Sequence, residues 1–209
     1  MHVADLRDRI VDTALKLANE SSWEHLRLSD IATDLGVTLD ELRAHFREKE
    51  EIVDAWFDRA DAAMLRDAAQ PEYSQLPTRE RLARAIVTWL GALSNYQRVT
   101  RQMVANRLEP GHLHYQVAGA MRVSRTVQWI REAAGIRDAL PWRAISETAT
   151  TTIYLATFVS WMVDTSAEFA STRARLDRLL RQAERTMAWI PRTCRPDSAA
   201  APSRESVHE

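Results

Sequence analysis

Two residues after Gly36 stands Thr38-Leu39-Asp40-Glu41, and this interval constrains the fold more tightly than any other stretch of the chain. Glycine accepts the positive φ at which helices commonly end. A threonine followed three residues later by a glutamate is a capping box. The hydroxyl accepts the amide hydrogen of Glu41, and the Glu41 carboxylate reaches back to the amide of Thr38. One helix therefore stops at Gly36 and another starts at Thr38, with a sharp corner between them. Upstream, Leu28, Ile31, Ala32 and Leu35 recur at the spacing of one helical face and predict a short helix over 28–35. Leu6, Ile10, Ala14 and Leu17 predict an earlier helix within 4–20, interrupted by Ser21-Ser22. Downstream, the capped helix runs to Phe46, and Ile52, Val53, Trp56, Phe57 and Met64 mark a fourth helix from Lys49 onward. A short helix, a Gly-Val turn and a capped short helix form a helix-turn-helix, a layout that spacing alone shares with an ordinary helical hairpin.

Past Pro71 the pattern resets. Pro77-Thr78 opens a helix over 79–99 with Leu82, Ile86, Leu90 and Leu93 on one face, and Pro110-Gly111 is a break. A helix over 112–134 ends at Gly135. Pro141 occupies the first turn of a long apolar helix to Val163. Thr165-Ser166-Ala167-Glu168 has the form of a second capping box, leading a last helix that stops before Pro191. Nothing alternates with the period of a strand, and Gly and Pro together fill only 12 of 209 positions. The expected class is all-α, in four parts: a helix-turn-helix domain over 1–48, a connecting helix over 49–70, a larger helical domain over 71–191 and a disordered tail over 192–209. No apolar run reaches the roughly 20 residues of a membrane span. Met1–Asp5 has no apolar signal-peptide core, and the single cysteine, Cys194, has no internal partner. These features fit a cytoplasmic protein.

Ile31-Ala32, Leu35-Gly36-Val37-Thr38, Leu42, His45-Phe46 and Lys49-Glu50-Glu51-Ile52 together resemble the signature of the TetR family of transcriptional regulators, over about residues 7–60. That resemblance implies an N-terminal three-helix DNA-binding domain, a C-terminal helical domain for ligand binding and dimerisation, and double-stranded operator DNA as partner. A reading helix sets its first turns in the major groove, which makes Thr38, Leu39, Asp40 and Arg43 the candidates for base edges. Arg43 can fork onto guanine and Asp40 can accept from cytosine. The family commonly places phosphate contacts at the position of Lys49 and at a tyrosine of the third helix. Here Lys49 is kept, Arg43 replaces the tyrosine, and Asp40-Glu41 replaces the usual Gly/Ala-Thr. His45 fits the family pattern, either packing or touching phosphate.

Charge pulls against this expectation. Residues 1–70 hold 9 Lys/Arg against 16 Asp/Glu, a net of −7, and residues 71–209 carry a net of +6. A domain at −7 meets a polyanion through a repulsive field.

The larger domain is rich in aromatic residues and methionine. Trp89, Tyr96, Met103, Tyr115, Trp129, Tyr154, Phe158, Trp161 and Met162 are the candidates for lining a pocket for an apolar or amphipathic small ligand, and the same side chains would also fill an ordinary core. On the last helix, Phe169, Leu176, Leu179, Leu180, Ala183 and Met187 fall on one side, with Arg173, Arg175, Arg178, Arg181 and Arg185 mostly opposite. The resemblance implies that this stripe is the seam of a homodimer formed through the last two long helices; a basic face against solvent or an anionic membrane surface is the other reading. Thr152-Ile153-Tyr154, Trp161-Met162-Val163-Asp164, Glu168-Phe169 and Arg175-Leu176-Asp177-Arg178 also faintly resemble TetR-fold lipid-binding accessory proteins of ubiquinone biosynthesis that have lost DNA binding. His112-x-His114 is the only close histidine pair. The chain shows no phosphate loop, nucleophile elbow or zinc-protease helix. No enzyme activity, cofactor or metal is expected.

Overall fold

The computed structural model describes residues 5–108, 113–139 and 142–188; the side chains of 113–116, 118, 187 and 188 lie outside that description. Among the described residues the chain is helical without strands: α1 Leu6–Glu20, α2 Leu28–Leu35, α3 Leu39–His45, α4 Lys49–Ala68, α5 Thr78–Leu93, α6 Gln97–Arg107, α7 Leu113–Ala134, α8 Trp142–Val163 and α9 Ala170–Ala188. The expectations for Tyr115, Met187, the His112-x-His114 pair and the tail over 192–209 fall outside the described side chains or residues.

The small domain forms around Ile10, Ala14, Trp23, Ile31, Leu42 and Phe46, all essentially without solvent exposure. Gly36 takes φ 65°, ψ 34°. The amide of Val37 donates to Ala32 O at 3.0 Å and that of Gly36 to Thr33 O at 3.2 Å, which is a Schellman termination. A β-carbon on Gly36 would meet nothing within 4 Å, so the backbone conformation alone demands glycine. The capping box forms as expected. Glu41 N donates to Thr38 Oγ1 at 3.2 Å, while Thr38 N and Oγ1 donate to Glu41 Oε2 at 2.7 and 2.8 Å.

α4 leaves this domain and runs into the larger one, packing against α5 and α7. The predicted helix over 79–99 is two helices. α5 stops at Leu93, where Ser94 Oγ donates back to Gly91 O at 2.7 Å, and a single 3₁₀ turn redirects the chain into α6. The redirection lets Thr100 accept from Trp56 Nε1 at 2.9 Å and sets Tyr96 edge-on against Trp56 at 6.0 Å.

Thr165–Glu168 is not a capping box. Glu168 and Phe169 both have positive φ, and α9 begins only at Ala170. Asp164 organises this corner instead. Its two carboxylate oxygens accept from the amides and hydroxyls of Ser166 and Thr172 at 2.6–2.9 Å. Four donors on one carboxylate hold its pKa well below the usual range, the Ser166 and Thr172 hydroxyls foremost.

No helix among the described residues is long and apolar enough to cross a membrane.

Candidate nucleic-acid interface and effector cavity

α3 is anchored by Leu42 and Phe46 and turns its other face outward. Leu39, Asp40, Glu41, Arg43 and Ala44 are exposed, and His45 is half-buried. Leu39 is 56% exposed and so available for an apolar contact. Thr38 is also exposed, but its hydroxyl and amide are both engaged with Glu41. Leu39, Asp40 and Arg43 are therefore the unengaged side chains of this face.

Lys49 is placed differently from a phosphate ligand. Its ammonium donates to the carbonyls of Trp23, Glu24 and Leu26 and lies 4.7 Å from the centre of the Trp23 ring. Three donors meet three acceptors. Burial lowers its pKa, with the nearby Glu50 and Glu24 opposing. Lys49 thus clasps the α1–α2 connection to the start of α4. The exposed cations next to the reading face are Arg43 and Arg47.

The acidity of the first 70 residues has a structural explanation that the sequence order hides. Glu50, Asp54, Asp58 and Asp61 recur every three or four residues along α4 and so share one side of it. Arg107 of α6 takes the first two: its Nε lies 2.9 Å from Glu50 Oε2, and its Nη2 lies 2.9 Å from Asp54 Oδ1. Arg122 of α7 takes the next two, with Nη2 at 2.7 Å from Asp61 Oδ2 and Nη1 on Asp58. Nearly two helix turns further, Arg84 of α5 grips Asp67 through two bonds of 2.6 and 2.8 Å. Five carboxylates of the acidic half are therefore paired with three arginines of the basic half, which offset three of their five charges. Asp8 and Asp12 of α1 meet Arg59 of α4. The internal ion-pair ladder along α4 offsets three of the seven excess negative charges of residues 1–70.

Of the nine aromatic and methionine candidates, Trp89, Met103, Tyr154, Phe158 and Trp161 are buried. Phe57 stacks on Trp89 at 5.8 Å, Trp89 meets Tyr154 edge-on at 5.4 Å, Tyr154 stacks on Phe158 at 6.1 Å, and Phe158 stacks on Trp161 at 5.8 Å. These rings fill space against one another. Tyr96 and Met162 are half-buried, and Trp129 is exposed on α7.

A cavity lies elsewhere, between the start of α5, the α7–α8 connection, α8 and the end of α9. It measures about 470 Å³ and is lined by Leu82, Ile136, Ala149, Ile153, Leu180 and Ala183, with Thr78, Ser146 and Thr150 as hydroxyls and Arg79, Asp138 and Glu184 as charges. Gly135 (φ 69°) ends α7 there in a second Schellman turn, Ile136 N donating to Arg131 O at 3.1 Å. Few aromatic residues mark this cavity, so composition gave no signal for it; only the packing of three helix ends creates it.

The apolar face of α9 is turned inward: Leu176 and Leu180 are buried, and Phe169, Leu179 and Ala183 pack half-buried against the core. In the larger domain the large apolar side chains left in solvent, among the described residues, are Leu108 after α6, Ile145, Leu155, Val159 and Val163 on α8, and Val117, Met121 and Trp129 on α7.

A crystal structure of a TetR transcriptional regulator from Nitrosomonas europaea ATCC 19718 is 50% identical to this chain, with a TM-score of 0.77, covering 88% of this chain and 99% of its own. The chain belongs to the TetR family. A TetR transcriptional regulator from Rhodococcus sp. RHA1 shares the fold at 18% identity and a TM-score of 0.64, over 84% of this chain and 94% of its own. No family model and no curated protein sequence matches the chain. As a TetR-family transcriptional regulator, it carries the helix-turn-helix in α2 and α3, and α4 joins that unit to the larger domain.

Proposed function

We propose that this TetR-family protein is a homodimeric repressor that binds palindromic operator DNA through α3 and is released by a small apolar or amphipathic ligand held in the larger domain. The observation that carries this reading is the outward face of α3, where among the described residues Leu39, Asp40 and Arg43, beside Arg47, make no side-chain bond, while Glu50, Asp54, Asp58, Asp61 and Asp67 of α4 are paired with Arg107, Arg122 and Arg84. Arg43 supplies the bidentate donor that reads guanine, Leu39 an apolar contact for a thymine methyl, and Asp40 an acceptor for cytosine. Arg47 positions the phosphate backbone.

The ligand site in this reading is the cavity at the ends of α5, α8 and α9. α7 links it to the reading heads. The connection that follows it borders the cavity through Ile136 and Asp138, and Arg122, about 14 Å before Arg131 along the axis, holds α4. A ligand that fits only one of two α7 positions shifts α4 and the separation of the two α3 helices. The second copy docks on the outward stripe of α8, with Leu155, Val159 and Val163 at successive turns, together with exposed α7 side chains.

The test is selection of a random duplex library by the purified protein near physiological salt. A recovered palindrome supports the regulator. No enrichment even at low salt, with and without extracted cell metabolites, sinks it and favours a lipid-binding accessory role for the fold.

A further inference from the structure

We propose that the cavity between α5, α8 and α9 takes an amphipathic carboxylate, its hydrocarbon part among Leu82, Ile153 and Leu180 and its carboxylate replacing Asp138 on Arg131. This rests on the reading of that cavity as the effector site. Arg131 projects from the last turn of α7 with its side chain only 10% exposed. Among the described residues it makes one hydrogen bond, from Nη1 to Ser146 Oγ at 2.9 Å. Its counter-ion Asp138 stands 3.6 Å from Nη2, too far for a hydrogen bond. A guanidinium has five donors, and burying one without close anionic partners is unfavourable. The other two buried arginines, Arg107 and Arg122, hold carboxylate oxygens at 2.9 and 2.7 Å. Among the described residues, Arg131 is the one buried arginine without a carboxylate within hydrogen-bond distance.

Position and volume point the same way. Ser146 and Asp138, the two partners of Arg131, both line the apolar cavity, so the guanidinium lies directly behind these two wall residues and is reached by displacing Asp138. Asp138 also lines a polar cavity of about 280 Å³, bordered by Arg131, Arg137 and Arg143 as well as Glu132 and Glu147, with room to receive a displaced Asp138 side chain. Glu184, the other acid of the apolar cavity, is engaged with Arg79 at 3.6 Å on the α5–α9 side. A free carboxylate approaches a guanidinium as a two-bond fork, which Asp138 does not form from its place in the connection. A volume near 470 Å³ suits a small molecule with an extended hydrocarbon body.

Calorimetry of the full-length protein with decanoate and decanol tests this. Decanoate is expected to bind at least tenfold more tightly than decanol. Arg131→Gln should bring decanoate down to the level of decanol and leave decanol unchanged. Asp138→Asn removes the resident competitor and should tighten decanoate several-fold. Equal binding of the two ligands to the wild-type protein overturns the carboxylate inference and leaves the cavity reading standing, provided that Ala149→Trp blocks decanol. An Asp138→Asn variant that binds decanoate no better overturns it as well. If neither ligand binds, the inference and the effector cavity fall together.

Discussion

Arg122 of α7 and Asp61 of α4 form an ion pair of 2.7 Å with both side chains almost wholly withdrawn from solvent, and Trp89 Nε1 and Thr126 Oγ1 complete the carboxylate at 2.7 and 3.1 Å. Burial raises the pKa of Asp61, and the charge of Arg122 works against that rise. A pair so placed is costly to break from one side, because the partner is left as a bare buried charge. Arg122→Met and Asp61→Asn are each expected to destabilise the fold by about 3–5 kcal/mol in urea unfolding. The double change Arg122→Met with Asp61→Leu should recover most of that loss. Single changes costing less than about 1 kcal/mol would show that solvent reaches the pair.

Lys49 and Arg43 should separate stability from DNA affinity. Lys49→Gln removes the clasp on the carbonyls of Trp23, Glu24 and Leu26, so melting temperature falls while the salt dependence of DNA binding is preserved. Arg43→Ala should leave melting untouched, weaken operator binding and relax base preference by about 1–3 kcal/mol at one position. Arg47→Ala should lower the slope of log K against log salt by about 0.9. A Lys49 variant with a reduced slope would return that residue to the DNA surface.

The corner between α2 and α3 has two separable requirements. Gly36→Ala is expected to cost about 1–2 kcal/mol because a β-carbon disfavours the left-handed backbone. Thr38→Ala should cost about 1 kcal/mol through loss of the cap. Both are read by denaturant midpoints, and the two should add only partly, since they secure the same corner.

Asp164 gives the corner between α8 and α9 a pH dependence of known sign. Its pKa is depressed in the folded state, so its stabilisation is complete above the unfolded value near 3.9 and is lost as pH falls toward the folded one. The stability gap between the wild-type protein and Asp164→Asn should be constant from pH 7 to about 5 and close progressively below that. A gap that widens on acidification would reverse the assignment.

Val159→Glu, on the outward stripe of α8, should shift the protein from dimer to monomer in sedimentation equilibrium, with little change in monomer helicity. Leu176→Glu, on the inward face of α9, should instead unfold the chain. If Val159→Glu remains dimeric, the seam lies off α8.

The helices of the small domain were legible because each rests on local chemistry: a glycine at positive φ, a capping box, apolar side chains on one face. The same rules failed at Thr165–Glu168, where Asp164 outcompeted the threonine for the helix amides, and at Ser94, where a 3₁₀ turn split an unbroken apolar face. Function was less legible because it depends on distant pairings. The excess acid of residues 1–70 reads wholly as repulsion from DNA until Arg84, Arg107 and Arg122 are seen offsetting part of it. The aromatic residues read equally well as pocket or core, and the rings proved to stack on each other. Arg131 carries no motif at all, since only the fold reveals how loosely it is held.

The ladder along α4 also limits what can be exchanged among such proteins. Cut after residue 70, the reading head would take its carboxylates along and leave their arginines behind, becoming a strongly acidic fragment with an exposed apolar helix. A head grafted onto a foreign body would need arginines waiting at the same three heights on its α5, α6 and α7. The reading head and its body are thus inherited together, as a matched set of charges.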